Sequence, residues 1–391
     1  MKLSTENTLA VLSHLIGSEL AKQRNASTGE LVAKAVAGGP LRDGPLAVDS
    51  IEQLSLARVV NEFFDLETSG LDEWLLRRDT IEQWLGLITE SLEQGTTQIG
   101  FRSGGTTGDP KINRRPIPHL EAEAVLIAEH FYDRRRIIGI APPHHIYGFI
   151  WGPLLADNLG IPYYHNDVAQ QQGLDPVSGD LIVGFPEWWR YRSGRRTGFN
   201  QGIAGVTSTA PCPPDLIRAL RCQGLDSMTE VYGSSETAGI GWRCDPGVPF
   251  KLLDHWDCAD DGDGDRLYLR PLSTTIDAPD TLEWVDERTL IPGDRRDGAV
   301  QVAGTNVDPT AVAEALKNQA DVTDCTVRPF DTGNGVRLKA FVVPDADSDT
   351  ETLEQSLRRW AQDHLTAPER PVRFDFGEML PRNELGKLSD W

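Results

Sequence analysis

The sequence predicts an α/β protein: a helical segment over residues 1–95, a layered α/β core over 96–296 and a small α+β domain over 297–391. Three observations carry this reading. Apolar residues recur at helical spacing near the N-terminus, and short apolar runs alternate with helical stretches through the middle of the chain. After the polar stretch Gly293-Asp294-Arg295-Arg296-Asp297-Gly298 the pattern shifts to a few strands and two helices.

Leu9, Val11, Leu12, Leu15, Ile16 and Leu20 fall on one face of a first helix. A second starts near Ser50 and carries Ile51, Leu54, Leu56, Val59, Val60, Phe63 and Phe64, with Ser50-x-x-Gln53 reading as a capping box. A third covers roughly Thr80 to Leu92. In the core, residues 136–140, 180–184 and 202–206 read as buried strands, and 118–131 and 214–223 as helices. The last domain reads as a strand at 299–302, a helix at 309–318, strands near 323–328 and 336–343, and a helix over about 352–365.

Composition narrows the functional classes. The 391 residues include 39% hydrophobic residues and ten tryptophans, enough for globular cores. No apolar run reaches the eighteen or so residues of a membrane span, and no basic stretch leads into an apolar core as in a secretory signal. Five cysteines without a Cys-x-x-Cys pair support neither a disulfide framework nor a zinc site, and point to a reducing cytoplasm. A net charge of −21 argues against nucleic acid as a partner. Asp261, Asp263 and Asp265 match the first ligand positions of a calcium loop. However, Arg266 stands where that loop needs Gly and Leu272 where it needs Glu, so the stretch reads as a solvated acidic loop.

Four segments carry chemistry. Ser103-Gly104-Gly105-Thr106-Thr107-Gly108-Asp109-Pro110-Lys111 combines tight turns, hydroxyls and a cation, the makings of a phosphate cradle. It lacks the Gly-Lys-Ser/Thr ending of the P-loop, and taken alone also reads as a flexible turn. In Tyr232-Gly233-Ser234-Ser235-Glu236, Tyr232 suits stacking on a base and Glu236 suits magnesium, a hard cation that prefers oxygen. By itself this run is equally a strand-to-loop turn with a solvated Glu. Ser208-Thr209-Ala210-Pro211 follows a strand and either lines a flat ligand or turns the chain. Near the end stands Leu380-Pro381-Arg382-Asn383-Glu384-Leu385-Gly386-Lys387, with Lys387 in a lysine-poor region.

Taken in order, these segments resemble the adenylate-forming superfamily of acyl- and aryl-CoA synthetases over residues 98 to 391. The resemblance implies that Ser103, Gly104, Gly105, Thr106, Thr107, Gly108 and Lys111 form a phosphate loop. It implies that Pro143-His144-His145-Ile146-Tyr147-Gly148 lies at the acyl pocket, with His145 beside the acid, or else a structural histidine beside Tyr147. Tyr147, Phe149 and Trp151 read either as an aromatic lining or as plain core. Ser208, Thr209, Ala210, Pro211, Tyr232, Gly233, Ser234 and Ser235 would bind adenine and phosphate, and Glu236 magnesium. Asp280 and Arg295 would hold the ribose, Asp297 would be the hinge of a mobile C-terminal domain, and Lys387 would be the catalytic lysine. Ser235 replaces the usual Thr, and Asp294 stands where a Gly normally precedes the ribose Arg. The loop near residue 100 comes early, as in phenylacetate-CoA ligases, which implies a reduced first lobe.

The implied cofactors are ATP and Mg²⁺, with CoA or phosphopantetheine as thiol acceptor. The implied reaction is AMP-forming activation of a small carboxylic acid, an aromatic acid such as a hydroxybenzoate, and its transfer to an acyl carrier protein. Among members, the ligases of aryl polyene and xanthomonadin-type pigment clusters are the most similar. A free-CoA ligase is the alternative, and a non-catalytic carrier-binding scaffold the alternative of another class. Leu46-Ala47-Val48-Asp49-Ser50-Ile51 also resembles the phosphopantetheine segment of acyl carrier proteins, with Ser50 as the attachment site, while the same residues read equally as an ordinary capped helix start.

Overall fold

In the computed structural model the described residues are 1, 3–103, 111–195, 197–259, 264–302, 305–333, 335–346, 348–382 and 388–391. They form two compact units, Met1–Arg102 with Ile112–Pro292, and Ser103–Lys111 with Gly293–Trp391.

The first unit is built on a sheet that is nine-stranded among the described residues. Five strands run parallel, in the spatial order Tyr163–His165, Arg136–Gly139, Asp180–Gly184, Ala204–Thr207 and Ser227–Ser234. The sheet continues antiparallel through Ala238–Arg243, Phe250–Leu252 and Thr289–Arg295, and ends at Asp280–Asp286. The parallel strands are covered on both faces, which explains their near-continuous apolar runs. Their side chains alternate accordingly: Ile137, Leu181, Val183 and Val206 enter one core, while Ile138, Ile182 and Met228 enter another. The second core is closed by the helices Pro186–Ser193 and Pro214–Cys222 through Trp189, Leu216, Ile217 and Leu220.

The first core is closed largely by the N-terminal helices. Thr5–Arg24, Ser50–Phe64 and Ile81–Gln94 form where the periodicity predicts. Their apolar faces belong to the same cluster as the sheet residues, so the position 95/96 lies inside one continuous core. Phe63 meets Phe101 and Phe149 edge-on, with ring centroids 5.4 and 5.6 Å away. Ion pairs reinforce the join: Arg102 bridges Glu62, and Arg114 reaches Asp65 at 2.7 Å. The Ser50–Phe64 helix differs from expectation in its cap. Asp49, not Ser50, is the N-cap, and Glu52 completes the box, because the Asp49 carboxylate accepts from the Ile51 and Glu52 amides. Ser50 is left exposed as the first helical residue.

Two buried histidines help to seat the first helix. The His14 ring lies 4.0 Å from that of His165, and its Nδ1 donates to the Ala10 carbonyl at 2.8 Å. Burial lowers the His14 pKa from 6.5 to about 3 and that of His165 to about 4.

The second unit pairs Val322–Asp331 antiparallel with Val336–Pro344, which runs parallel to Arg373–Phe376. The helices Pro309–Lys317 and Thr350–His364 pack on this sheet through Val312, Leu316, Leu353 and Leu357. These elements match the predicted ones to within a few residues at each end. Of the acidic run expected to be solvated, Asp265 is described and its carboxylate accepts from the Leu282 amide at 2.6 Å; positions 260–263 lie outside the described residues.

The two histidines make the first unit acid-sensitive. As pH falls below 6.5 the unfolded chain takes up protons at His14 and His165, whereas the folded chain does so only near their lowered values. Their contribution to stability is therefore full above pH 6.5 and is lost progressively toward pH 4. The melting temperature is expected to fall across that window, with a shallower slope in His14→Phe; an identical slope in the two proteins would contradict this account.

Candidate active site

A doubly covered parallel sheet binds ligands beyond the carboxyl ends of its strands. Three of the predicted segments lie there. The 136–139 strand leads into Pro143 to Tyr147, the 204–207 strand into Ser208 to Pro211, and the 227–234 strand ends in Tyr232-Gly233-Ser234 before Glu236.

Each segment is held by identifiable contacts. Ser208 Oγ donates to the Val231 carbonyl at 2.9 Å, tying the ends of two neighbouring strands together. Thr209 adopts φ 76°, a conformation unfavourable for a β-branched residue. The turn after Tyr232 carries a register irregularity and closes on itself, with the Glu236 and Thr237 amides donating to Ser234 Oγ at 3.2 and 3.3 Å. Gly233 is required there, since a Cβ would lie 2.1 Å from the Ala238 carbonyl oxygen. Arg115 donates to the Glu236 backbone carbonyl and fixes the turn from outside. Among the described residues, no hydrogen bond engages the Glu236 carboxylate. Its backbone is pinned while its oxygens stay available, which fits the donor chemistry of a magnesium ligand.

Tyr232 and Asp280 come together: the phenol donates to Asp280 Oδ2 at 2.7 Å, bringing the predicted base-stacking and ribose-binding residues into one patch. His145 caps the short helix Ile146–Phe149, where its carbonyl accepts from the Phe149 amide at 2.7 Å, and burial lowers its imidazole pKa. Of the two readings of the aromatic residues, burial fits plain core. Phe149 and Trp151 are buried in the core, the former against Phe63, and the Tyr147 hydroxyl is used on the Gly184 carbonyl at 2.9 Å. In the second unit, Arg295 Nε lies 3.0 Å from Asp297, an ion pair that lowers the Asp297 pKa. Lys111 begins the strand Lys111–Pro116. Positions 104–110, with Thr106, Thr107 and Gly108, and Lys387 lie outside the described residues, as does the side chain of Ser103.

One supporting pair escaped the sequence reading. Glu230 is 4% exposed and accepts from both the Cys212 amide at 2.9 Å and Arg243 Nε at 2.7 Å. It thus anchors the far end of the Ser208–Pro211 segment. The available signal was a carboxylate inside the otherwise inward-facing run Met228-Thr229-Glu230-Val231.

The fold and this arrangement define an adenylate-forming enzyme, and comparison with known proteins agrees. Residues 311–387 match the family described as AMP-binding enzyme C-terminal domain. A 4-coumarate–CoA ligase of Halorhodospira halophila is 35% identical over 99% of both chains. A 3,4-dihydroxybenzoate–[aryl-carrier protein] ligase of Bacillus anthracis is 26% identical over 73% of this chain and 71% of its own. Among solved structures, an o-succinylbenzoate CoA synthetase from Bacillus subtilis shares the fold, with a TM-score of 0.63 at 18% identity, covering 97% of this chain and 91% of that one. The chain belongs to the adenylate-forming superfamily and is an AMP-forming acid–thiol ligase. The expectation of a non-catalytic scaffold falls away.

Arg243→Ala leaves the Glu230 carboxylate buried without its counter-charge. A loss of ~3–5 kcal/mol is expected in urea denaturation. A loss below ~1 kcal/mol, typical of an exposed pair, would contradict the assignment.

Proposed function

We propose that the chain activates an aromatic acid of the 4-hydroxycinnamate class and passes it to the thiol of CoA. The observation that carries this reading is the end-to-end similarity to a 4-coumarate–CoA ligase, with 99% of each chain aligned. The Tyr232–Asp280 patch and the Glu236 turn at the strand ends support it.

In the proposed reaction an oxygen of the acid attacks the α-phosphorus of ATP, and the bond to the pyrophosphate oxygen breaks. The thiol sulfur then attacks the acyl carbonyl, forming the thioester and releasing AMP. Because phosphoryl transfer is largely positioning and charge neutralisation, the chain's part is to hold and orient. Tyr232 and Asp280 hold the nucleoside, while Ser103 to Lys111 hold the β- and γ-phosphates. Lys387 donates to the acid and the α-phosphate, where charge accumulates. Glu236 would hold a magnesium ion, which when bound would supply charge neutralisation. Half-buried, with its imidazole pKa lowered, His145 orients the acid. Arg295 completes the ribose contacts, and Asp297 is the hinge.

A carrier-protein thiol is the second reading. It is favoured by the aryl-carrier-protein ligase among the relatives and by the exposure of Ser50 at the start of its helix.

Pyrophosphate release is expected with 4-hydroxycinnamate and not with fatty or amino acids, and thioester formation with CoA. Equal turnover of a long-chain fatty acid would overturn the substrate class, and thioester appearing only on an added carrier protein would overturn the acceptor. Lys387→Ala is expected to reduce adenylation at least ~100-fold with an unchanged melting temperature, the scale of losing one transition-state donor. Wild-type adenylation rates in that variant would refute the role of Lys387.

A further inference from the structure

Behind the Glu236 turn, in the interior of the first unit, lies a cluster that the adenylation chemistry does not use. His119 and Glu123 stand four residues apart on the helix Ile117–His130, so they share one face. His255, just beyond the strand Phe250–Leu252, faces them. The three are 0%, 1% and 6% exposed, and each offers one ligand atom within 4.8 Å of the others.

The chemistry of the cluster is unusual for a protein interior. Buried polar groups are nearly always hydrogen-bonded. Yet none of the four ring nitrogens of His119 and His255 meets a partner in proper geometry. Burial lowers the pKa of both rings, with the Gly239 carbonyl near His255 opposing the fall. Glu123 accepts the Gly239 amide at 2.9 Å through one carboxylate oxygen, which leaves the other for a ligand. This approach depends on Gly239, where a Cβ would lie 2.4 Å from Glu123 Oε1. Trp256, whose indole donates to the Gly239 carbonyl at 2.7 Å, packs against both imidazole rings. Three buried ligands, unpartnered or half-partnered and converging on one point, are costly when empty and favourable around a cation.

We propose that His119, Glu123 and His255 form a buried structural site for one divalent transition-metal ion, zinc by ligand type. Two imidazoles and a carboxylate are a three-residue zinc donor set whose fourth tetrahedral position is taken by a water, with ligand distances of ~2.0–2.2 Å. A tetrahedral arrangement at those distances places the donor atoms ~3.4 Å apart, up to ~1.4 Å closer than the 4.8 Å within which they lie here. The ion ties the Ile117–His130 helix to His255, next to Trp256, whose indole holds the Gly239 carbonyl, and so braces the segment three residues beyond Glu236, the proposed magnesium ligand. The site is separate from the one that binds ATP.

The test uses the full chain without a histidine tag, produced in zinc-supplemented medium and dialysed against metal-free buffer. Mass-spectrometric metal analysis is expected to find about one zinc per chain. Because the ion binds only the folded state, the melting temperature is expected to be higher than that of protein produced under zinc depletion. Growth on cobalt is expected to give the strong visible bands of a tetrahedral centre. His119→Gln and His255→Gln are expected to lose the ion, while His165→Gln, in the other buried histidine cluster, keeps it. Dialysed wild-type protein with no bound metal and a melting temperature indifferent to zinc supply would overturn the proposal, whether or not the variants fold. Loss of the ion in His165→Gln with retention in His255→Gln would overturn it equally.

Discussion

The apolar face of the parallel sheet needs a cover, and the rest of the first unit follows from how it is covered. Ile137, Leu181, Val183 and Val206 present a surface that the chain buries under the helices of residues 1–95. At roughly 25 cal/mol per Å² of apolar area removed from water, sealing such a face is the largest favourable contribution available to the unit. Phe63, Phe101 and Phe149 lock this joint at its centre. The N-terminal helices are therefore structural partners of the catalytic sheet, whatever further role Ser50 has.

With both faces covered, the carboxyl ends of the strands are what remains open to ligands. The chain there is irregular, and each irregularity has a support. Glu230 and Arg243 hold the segment after the 204–207 strand, Arg115 and Ser234 hold the Glu236 turn, and Glu123 holds Gly239 immediately behind it. The strained backbone at Thr209 persists because its flanks are tied down. Function in this unit depends as much on these buried polar supports as on the residues that face the substrate.

Much of this was legible from sequence. Helices and strands declared themselves through apolar periodicity, which is local, and the predicted ligand segments stood in a fixed order along the chain. Tyr232 and Asp280, singled out separately, meet in one hydrogen bond. What stayed hidden was long-range. Nothing local says that Glu230 reaches the Cys212 amide, or that Glu123 faces His255 far along the chain. The cap at Asp49 was misassigned to Ser50 because two overlapping Asx/Ser signals differ by one residue, and only the backbone conformation chooses between them.

By itself, then, the sequence determined the class of fold, the order of its layers and membership of the adenylate-forming superfamily, since periodicity and ordered motifs are properties of the chain read in line. Tertiary structure alone decided which aromatic residues are core rather than pocket, that residues 1–95 share a core with the sheet, and that two histidines and a glutamate converge behind the site. Those outcomes rest on packing between segments distant in sequence, where burial and pairing depend on what the fold brings to the other side.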